Sequence, residues 1–402
     1  MPHLERVRQY AKPVKGFRVS GVDAGLRAAF GKPSSPDLAL IASDNPCAAA
    51  GVFTTNHVKA ASVLIDQERI KNMPKGIRGI LINTASANAC TGEEGLRNAR
   101  QCAARTSVEL QSDVDDVLVM STGVIGVQLP MTQMAAGIRV AAAALRPDGW
   151  ADAAKAIMTT DTQPKAANID FDGITISGIA KGAGMIAPNM ATLLCAIATD
   201  AVIEPALLQR ALEEAVSRSF NCIVVDGDMS TNDSVLTLAS GASGIAIAEA
   251  QYERFTGCLS AVCISLAQAI VKDAEGASRF ITVQVMGAKS PEDARQVGNA
   301  IATSPLVKTA FYGGDANWGR IVAAAGRAGV PLEQGKLALW YDDLQLVANG
   351  TPLKYDEARA NAIAAGPEIH VRLELGLGSA EHTIWTCDLT HDYVDINGHY
   401  RT

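Results

Sequence analysis

Apolar positions along the chain follow two rhythms. Short runs rich in Val, Ile and Leu predict strands at Leu38–Ala42, Gly79–Asn83, Val117–Ser121, Ile174–Ile179, Leu193–Thr199, Cys222–Val225 and Phe280–Val285. A further strand is predicted at His370–Leu375, where His370, Arg372 and Glu374 alternate with Val371, Leu373 and Leu375, the pattern of a half-buried strand. The second rhythm, an apolar residue every third or fourth position, predicts helices. Glu204–Ser217 lines up Leu207, Leu208, Ala211, Leu212 and Ala215, and Tyr252–Lys272 does the same with Phe255, Leu259, Val262, Leu266 and Ile270. Ser290-Pro291-Glu292-Asp293 reads as a helix start: a hydroxyl cap, a proline at the first position and acids facing the dipole. Strands and helices interleave, but the helices are too few for strict βαβ winding. The expected class is α/β in the α+β sense, with sheets layered between helices.

Composition narrows the picture further. At 402 residues the chain exceeds one small core and calls for two domains, or one large one with an appendage. A net charge of −7, with no run of like charges, argues against an extended nucleic-acid face. The longest apolar stretches are broken by Gly, Ser or charge before they reach membrane-spanning length, so no membrane partner is expected. MPHLERVRQYAKPVKGF lacks the apolar core of a secretory signal, and a cytoplasmic location is the expectation. The eight cysteines form no C-x-x-C pair and read as buried, reduced thiols.

The segment 174–200, ITISGIAKGAGMIAPNMATLLCAIATD, carries the candidate chemistry. A strand runs into Lys181-Gly182-Ala183-Gly184, then Pro188, then a second apolar strand beginning near Thr192. A hydroxyl held on a sheet behind a strained loop can attack its own preceding carbonyl, and hydrolysis then frees an α-amine. That amine, with an ordinary pKa near 8, suits a general base at neutral pH, and a Thr paired with its own amine is a known nucleophile. On the residues alone, a phosphate cradle or a tight turn remains open. The phosphate-loop pattern fails, because Lys181 precedes its glycines and no Ser or Thr follows it directly. DGDMSTND at 226–233 groups Asp226, Asp228 and Asp233, but Thr231 and Thr237 stand where a calcium loop needs Gly and Glu, so no metal is expected.

KGAGMIAPNMATLL resembles the signature of the ornithine acetyltransferase family, whose precursors break between the Ala and Thr of an M-A-T core. GVFTTN (51–56), NACTG (88–92), STGVIG (121–126), MTTDT (158–162), DGDMSTND (226–233), VKDAEGA (271–277), NWGR (317–320) and YVDINGHYRT (393–402) resemble further family blocks in the same order. They span nearly the whole chain.

The resemblance implies an N-terminal-nucleophile, self-processing acyltransferase with a smaller second domain, cut at Ala191–Thr192. The pieces would be an α chain of 1–191, carrying the oxyanion hole and substrate Lys, and a β chain of 192–402, carrying the nucleophile and a substrate-binding tail, associated as α2β2. Thr192 would be the nucleophile, Thr122 and Gly123 the oxyanion hole, and Thr159, Lys181, Glu275, Asn397 and Thr402 substrate contacts. The implied substrates are N2-acetylornithine and glutamate, with acetyl-CoA as a donor in some members and no cofactor. The implied tail folds back over the active site. Three departures stand out: 84–89 reads TASANA where the family has S-G-N-A-N-A, Met229 replaces a small polar residue, and Ala316 replaces a Pro. An N-terminal-nucleophile aminopeptidase or amidohydrolase, and an amino-acid-binding protein with a vestigial processing site, are the rival readings.

Overall fold

A computed structural model describes residues 3–187 and 193–399. The described residues divide into two compact units, one of 3–187, 193–221 and 228–270, the other of 222–227 and 271–399.

The first unit is built on an eight-stranded mixed sheet. Its strands run in the order Val117–Ser121, Lys75–Asn83, Leu38–Phe53, Ser234–Ala239, Leu194–Thr199, Ile174–Lys181 and Lys165–Phe171, with Phe17–Val22 pairing to Leu38–Phe53. Alternation along the strands sends successive side chains to opposite faces. Ala39 and Ile41 pack with Trp150, Ala153 and Ile157 of the helix region around Trp150–Ala156. Leu38 and Leu40 pack on the other face with residues of the helices Ala61–Asn72, Gly92–Leu110 and Met131–Ala143. This is the expected arrangement of a sheet between helices. The strand Leu194–Thr199 is buried along its whole length. It pairs antiparallel with Ile174–Lys181 and parallel with Ser234–Ala239.

The helix Glu249–Lys272 is long and apolar enough to cross a membrane, which the sequence reading did not foresee. Its apolar stripe is buried instead: Phe255, Leu259, Val262, Leu266 and Ile270 are all fully covered, and Phe171 meets Phe255 ring to ring at 6.3 Å.

The second unit has a seven-stranded sheet whose central strand, Glu368–Glu374, runs parallel to Phe280–Ala288, which in turn pairs antiparallel with Ala380–Cys387. Ile281, Val283 and Val285 share a core with Ile369, Val371 and Leu373 and with the helices Pro291–Ala302, Pro305–Tyr312 and Trp318–Gly326. The outward positions of Glu368–Glu374 stay exposed or half-buried, as the alternation predicted. Ser290 caps its helix through its side chain, which accepts the Asp293 N–H at 3.1 Å.

Candidate active site

The oxyanion candidates follow directly from a buried strand. Val117–Ser121 ends at Ser121, whose hydroxyl donates to Asn83 Oδ1 at 2.7 Å, and the Thr122 N–H donates to the Asn83 carbonyl at 3.0 Å. Thr122 is buried, and Gly123 adopts φ +132°. A side chain at 123 would also collide with the 84–92 loop, since a Cβ there would lie 2.3 Å from the Ala85 carbonyl carbon. Among the described residues, no acceptor takes the Thr122 hydroxyl or the Gly123 N–H. Two donors held on rigid backbone, with no acceptor among the described residues, suit the stabilisation of a developing oxyanion.

The loop against which Gly123 packs is strained. Ala85, Asn88 and Cys90 all have positive φ, at 74°, 49° and 56°. The Val124 N–H donates to the Ala85 carbonyl at 3.1 Å, so the strained loop and the oxyanion turn form one backbone assembly. Cys90 lies here and is exposed, against the expectation of buried thiols that the other seven cysteines meet.

Lys181 closes the strand Ile174–Lys181 and is 3% exposed, so it is no solvated surface lysine. Asp161, which sequence reasoning did not single out, organises its surroundings. One carboxylate oxygen accepts the Gly182 N–H at 2.7 Å and the Lys165 ammonium at 2.6 Å, and the other accepts the Thr159 N–H at 3.0 Å. Burial would push this carboxyl up, but the charges of Lys181 and Lys165 and the Gly182 N–H outweigh it and hold the group at about 2. Thr159 and Lys181 are thereby tied to one side chain. The signal was present in the sequence as an acid inside T-T-D-T.

Ala191, Thr192 and Thr402 lie outside the described residues. Leu193, directly after Thr192 in the chain, is buried, and its N–H donates to Asp233 Oδ1 at 2.7 Å. Asp233 is fully buried. Burial pushes its carboxyl up to about 8, a rise tempered by the Leu193 N–H and by Lys181. Upstream, Met185 stands at φ +58°, a strained position for a residue with a side chain.

Glu275 and Asn397 are described in the second unit. The helix ends at Lys272, so Glu275 occupies the turn beyond it. The tail is ordered as the helix His391–His399. Asn397 Nδ2 donates to Glu275 Oε2 at 2.9 Å, and the Thr390 hydroxyl donates to the Gly276 carbonyl at 2.7 Å. The two residues the resemblance named are hydrogen-bonded partners. Asp226, one of the grouped acids, accepts the Tyr393 hydroxyl at 3.2 Å.

A family model described as the ArgJ family matches residues 18–402. A relative from Symbiobacterium thermophilum, called arginine biosynthesis bifunctional protein ArgJ, is 48% identical over 394 residues, covering 96% of this chain and 97% of its own. A relative of the same name from Geobacter sulfurreducens is 46% identical over 397 residues, covering 97% and 100%. A solved structure of ornithine acetyltransferase with ornithine, from Mycobacterium tuberculosis, is 38% identical and covers 47% of this chain and 99% of that one, at a TM-score of 0.43. The protein is an acyltransferase enzyme of arginine biosynthesis. The chain belongs to the ArgJ family, the ornithine acetyltransferases (glutamate N-acetyltransferases).

Proposed function

We propose that the chain cuts itself between Ala191 and Thr192 and then moves an acetyl group from N2-acetylornithine to glutamate through an acetyl-Thr192 intermediate. The observation that carries this reading is the pair of donors at Thr122 and Gly123, without an acceptor among the described residues, at the end of a strand of the sheet that also contains Leu194–Thr199. In this reading the hydroxyl of Thr192 attacks the acetyl carbonyl while its freed amine takes the proton. Thr122 and Gly123 stabilise the tetrahedral oxyanion, ornithine leaves, and the amine of glutamate attacks the acetyl-enzyme. Lys181 meets a substrate carboxylate, and Thr159, Glu275, Asn397 and Thr402 complete substrate binding. Residues 1–191 and 192–402 are the resulting α and β chains, assembled as α2β2 in the cytoplasm. Acetyl-CoA serves as a second donor for the same nucleophile.

Intact mass under denaturing conditions, for the wild type beside Thr192→Ala, tests the reading. Two fragments meeting at 191/192 in the wild type, and one uncut, inactive chain in the variant, are expected. An uncut wild-type chain that still transfers acetyl groups would overturn the nucleophile assignment. Release of free acetate in place of N-acetylglutamate would make the enzyme a hydrolase.

A further inference from the structure

The D-G-D-M-S-T-N-D block failed as a metal loop and has no role in the transfer scheme, yet its last two residues are buried and bond to backbone beside the proposed site. Asn232 is buried, and its amide donates both hydrogens to backbone carbonyls: Ala87 at 2.6 Å and Ser121 at 2.8 Å. Its side-chain oxygen accepts the Thr231 hydroxyl at 2.5 Å. Asp233 accepts the Leu193 N–H at 2.7 Å through Oδ1, its own carbonyl accepts the Thr54 N–H at 3.0 Å, and the Ser234 N–H donates to the Leu193 carbonyl at 3.1 Å. Asp233 Oδ2 is buried without a hydrogen-bond partner among the described residues.

Adjacent residues on an extended chain send their side chains opposite ways. Here one reaches the residue before Thr122 and the loop behind Gly123, and the other reaches the residue after Thr192. We infer that Asn232 and Asp233 act as a two-residue clamp, positioning the nucleophile against the oxyanion donors. The inference rests on the assignment of Thr192, Thr122 and Gly123 made above. Neither side chain needs to touch substrate. Their role is to hold two strand ends at a fixed separation, and a displacement of about 1 Å at such a site costs on the order of 100-fold in rate.

The chemistry of the two groups is specific. The Asn232 amide offers two donors on one nitrogen to two carbonyls, so Asn232→Asp would set a carboxylate against two acceptors. Asp233→Asn keeps an oxygen acceptor for the Leu193 N–H, whereas Asp233→Ala leaves that buried donor without a partner.

Four variants are compared with the wild type for chain cleavage by mass and for kcat and KM on acetylornithine: Asn232→Ala, Asn232→Asp, Asp233→Asn and Asp233→Ala. The clamp predicts a fall in kcat of about 10- to 100-fold with KM changed less than about threefold. Cleavage should slow in parallel, and Asp233→Asn should retain more of both activities than Asp233→Ala. Unchanged kcat in folded Asn232→Ala, a loss confined to KM, or equal loss in both Asp233 variants would overturn it. Hydrogen exchange of the Leu193 amide in the wild type needs no variant to fold: strong protection supports the Asp233 contact, and exchange at the unprotected rate removes it. A wild type that is uncut and inactive would instead sink the underlying nucleophile assignment.

Discussion

Ala85 is the residue at which local strain and the proposed chemistry meet. It adopts φ +74° where the family pattern has Gly, and its carbonyl is fixed by the Val124 N–H beside Gly123. A left-handed conformation costs an alanine about 1–2 kcal/mol, and Gly has a larger unfolded-state entropy to lose, by roughly 0.5–1 kcal/mol. Ala85→Gly is therefore expected to stabilise the protein by about 1 kcal/mol, measured as a rise in urea midpoint at constant m-value. A fall in the midpoint would mean that the methyl group contributes packing that exceeds the strain. Backbone strain of this kind tends to persist where the surroundings over-determine it, often at functional sites. The substitution was visible in the sequence as a departure from S-G-N-A-N-A. Its cost was not, because a dihedral depends on which carbonyl the loop must offer to Val124.

Between elements, Asp161 links the turn after Trp150–Ala156 to the end of Ile174–Lys181. Its carboxyl, held at about 2 against an unfolded value near 4, stabilises the fold above pH ~4, and that stabilisation is lost as pH falls towards 2. Asp161→Asn leaves the Lys165 ammonium buried, and removing one partner of such a pair costs about 3–5 kcal/mol. Urea unfolding should show that deficit at pH 7 and a shrinking one as pH drops through 4 to 2. A difference independent of pH would mean that charge pairing is not its source. Asp233 has the opposite sign: its raised value stabilises the fold below pH ~4, and this is lost as pH rises through about 8.

Elements with one dominant periodicity were legible from the sequence, as at Pro205–Ser217 and Glu368–Glu374. Leu38–Phe53 was seen only to Ala42, because Ser43-Asp44-Asn45-Pro46 interrupts the apolar run. The strand continues through an irregularity there, pairing with Phe17–Val22 up to Ser43, with Lys75–Asn83 on both sides of the break, and with Ser234–Ala239 after it. Long-range pairing of that kind leaves no local pattern. For the same reason Asn232 and Asp233 read as a failed metal loop: their partners, Ala87, Ser121 and Leu193, are 40 to 145 residues distant.

At the scale of the whole molecule, the proposed cut would fall between neighbouring strands of one sheet. Ile174–Lys181 lies on one side of it and Leu194–Thr199 on the other, hydrogen-bonded over six residue pairs from Ile176–Thr199 to Lys181–Leu194. Ser234–Ala239, also beyond the cut, pairs over six residues with Leu38–Phe53, before it. The two chains should therefore elute as one species in native size-exclusion chromatography and separate only under conditions that unfold the sheet. Separation in native buffer would contradict this sheet order.

The interleaving of strands also sets an order of events in time. The contacts around the proposed cleavage point, from Leu193 to Asp233 and from Asn232 to Ser121, do not exist in a nascent or misregistered chain; they form only when distant segments have found one another. Under the proposed mechanism, the peptide bond breaks only in a molecule whose sheet is already complete, and the catalytic amine appears only then. On that mechanism maturation would act as a quality gate: a precursor that folds wrongly would stay a single chain without a nucleophile, and the fraction cut in a cell extract would be a direct count of correctly folded molecules.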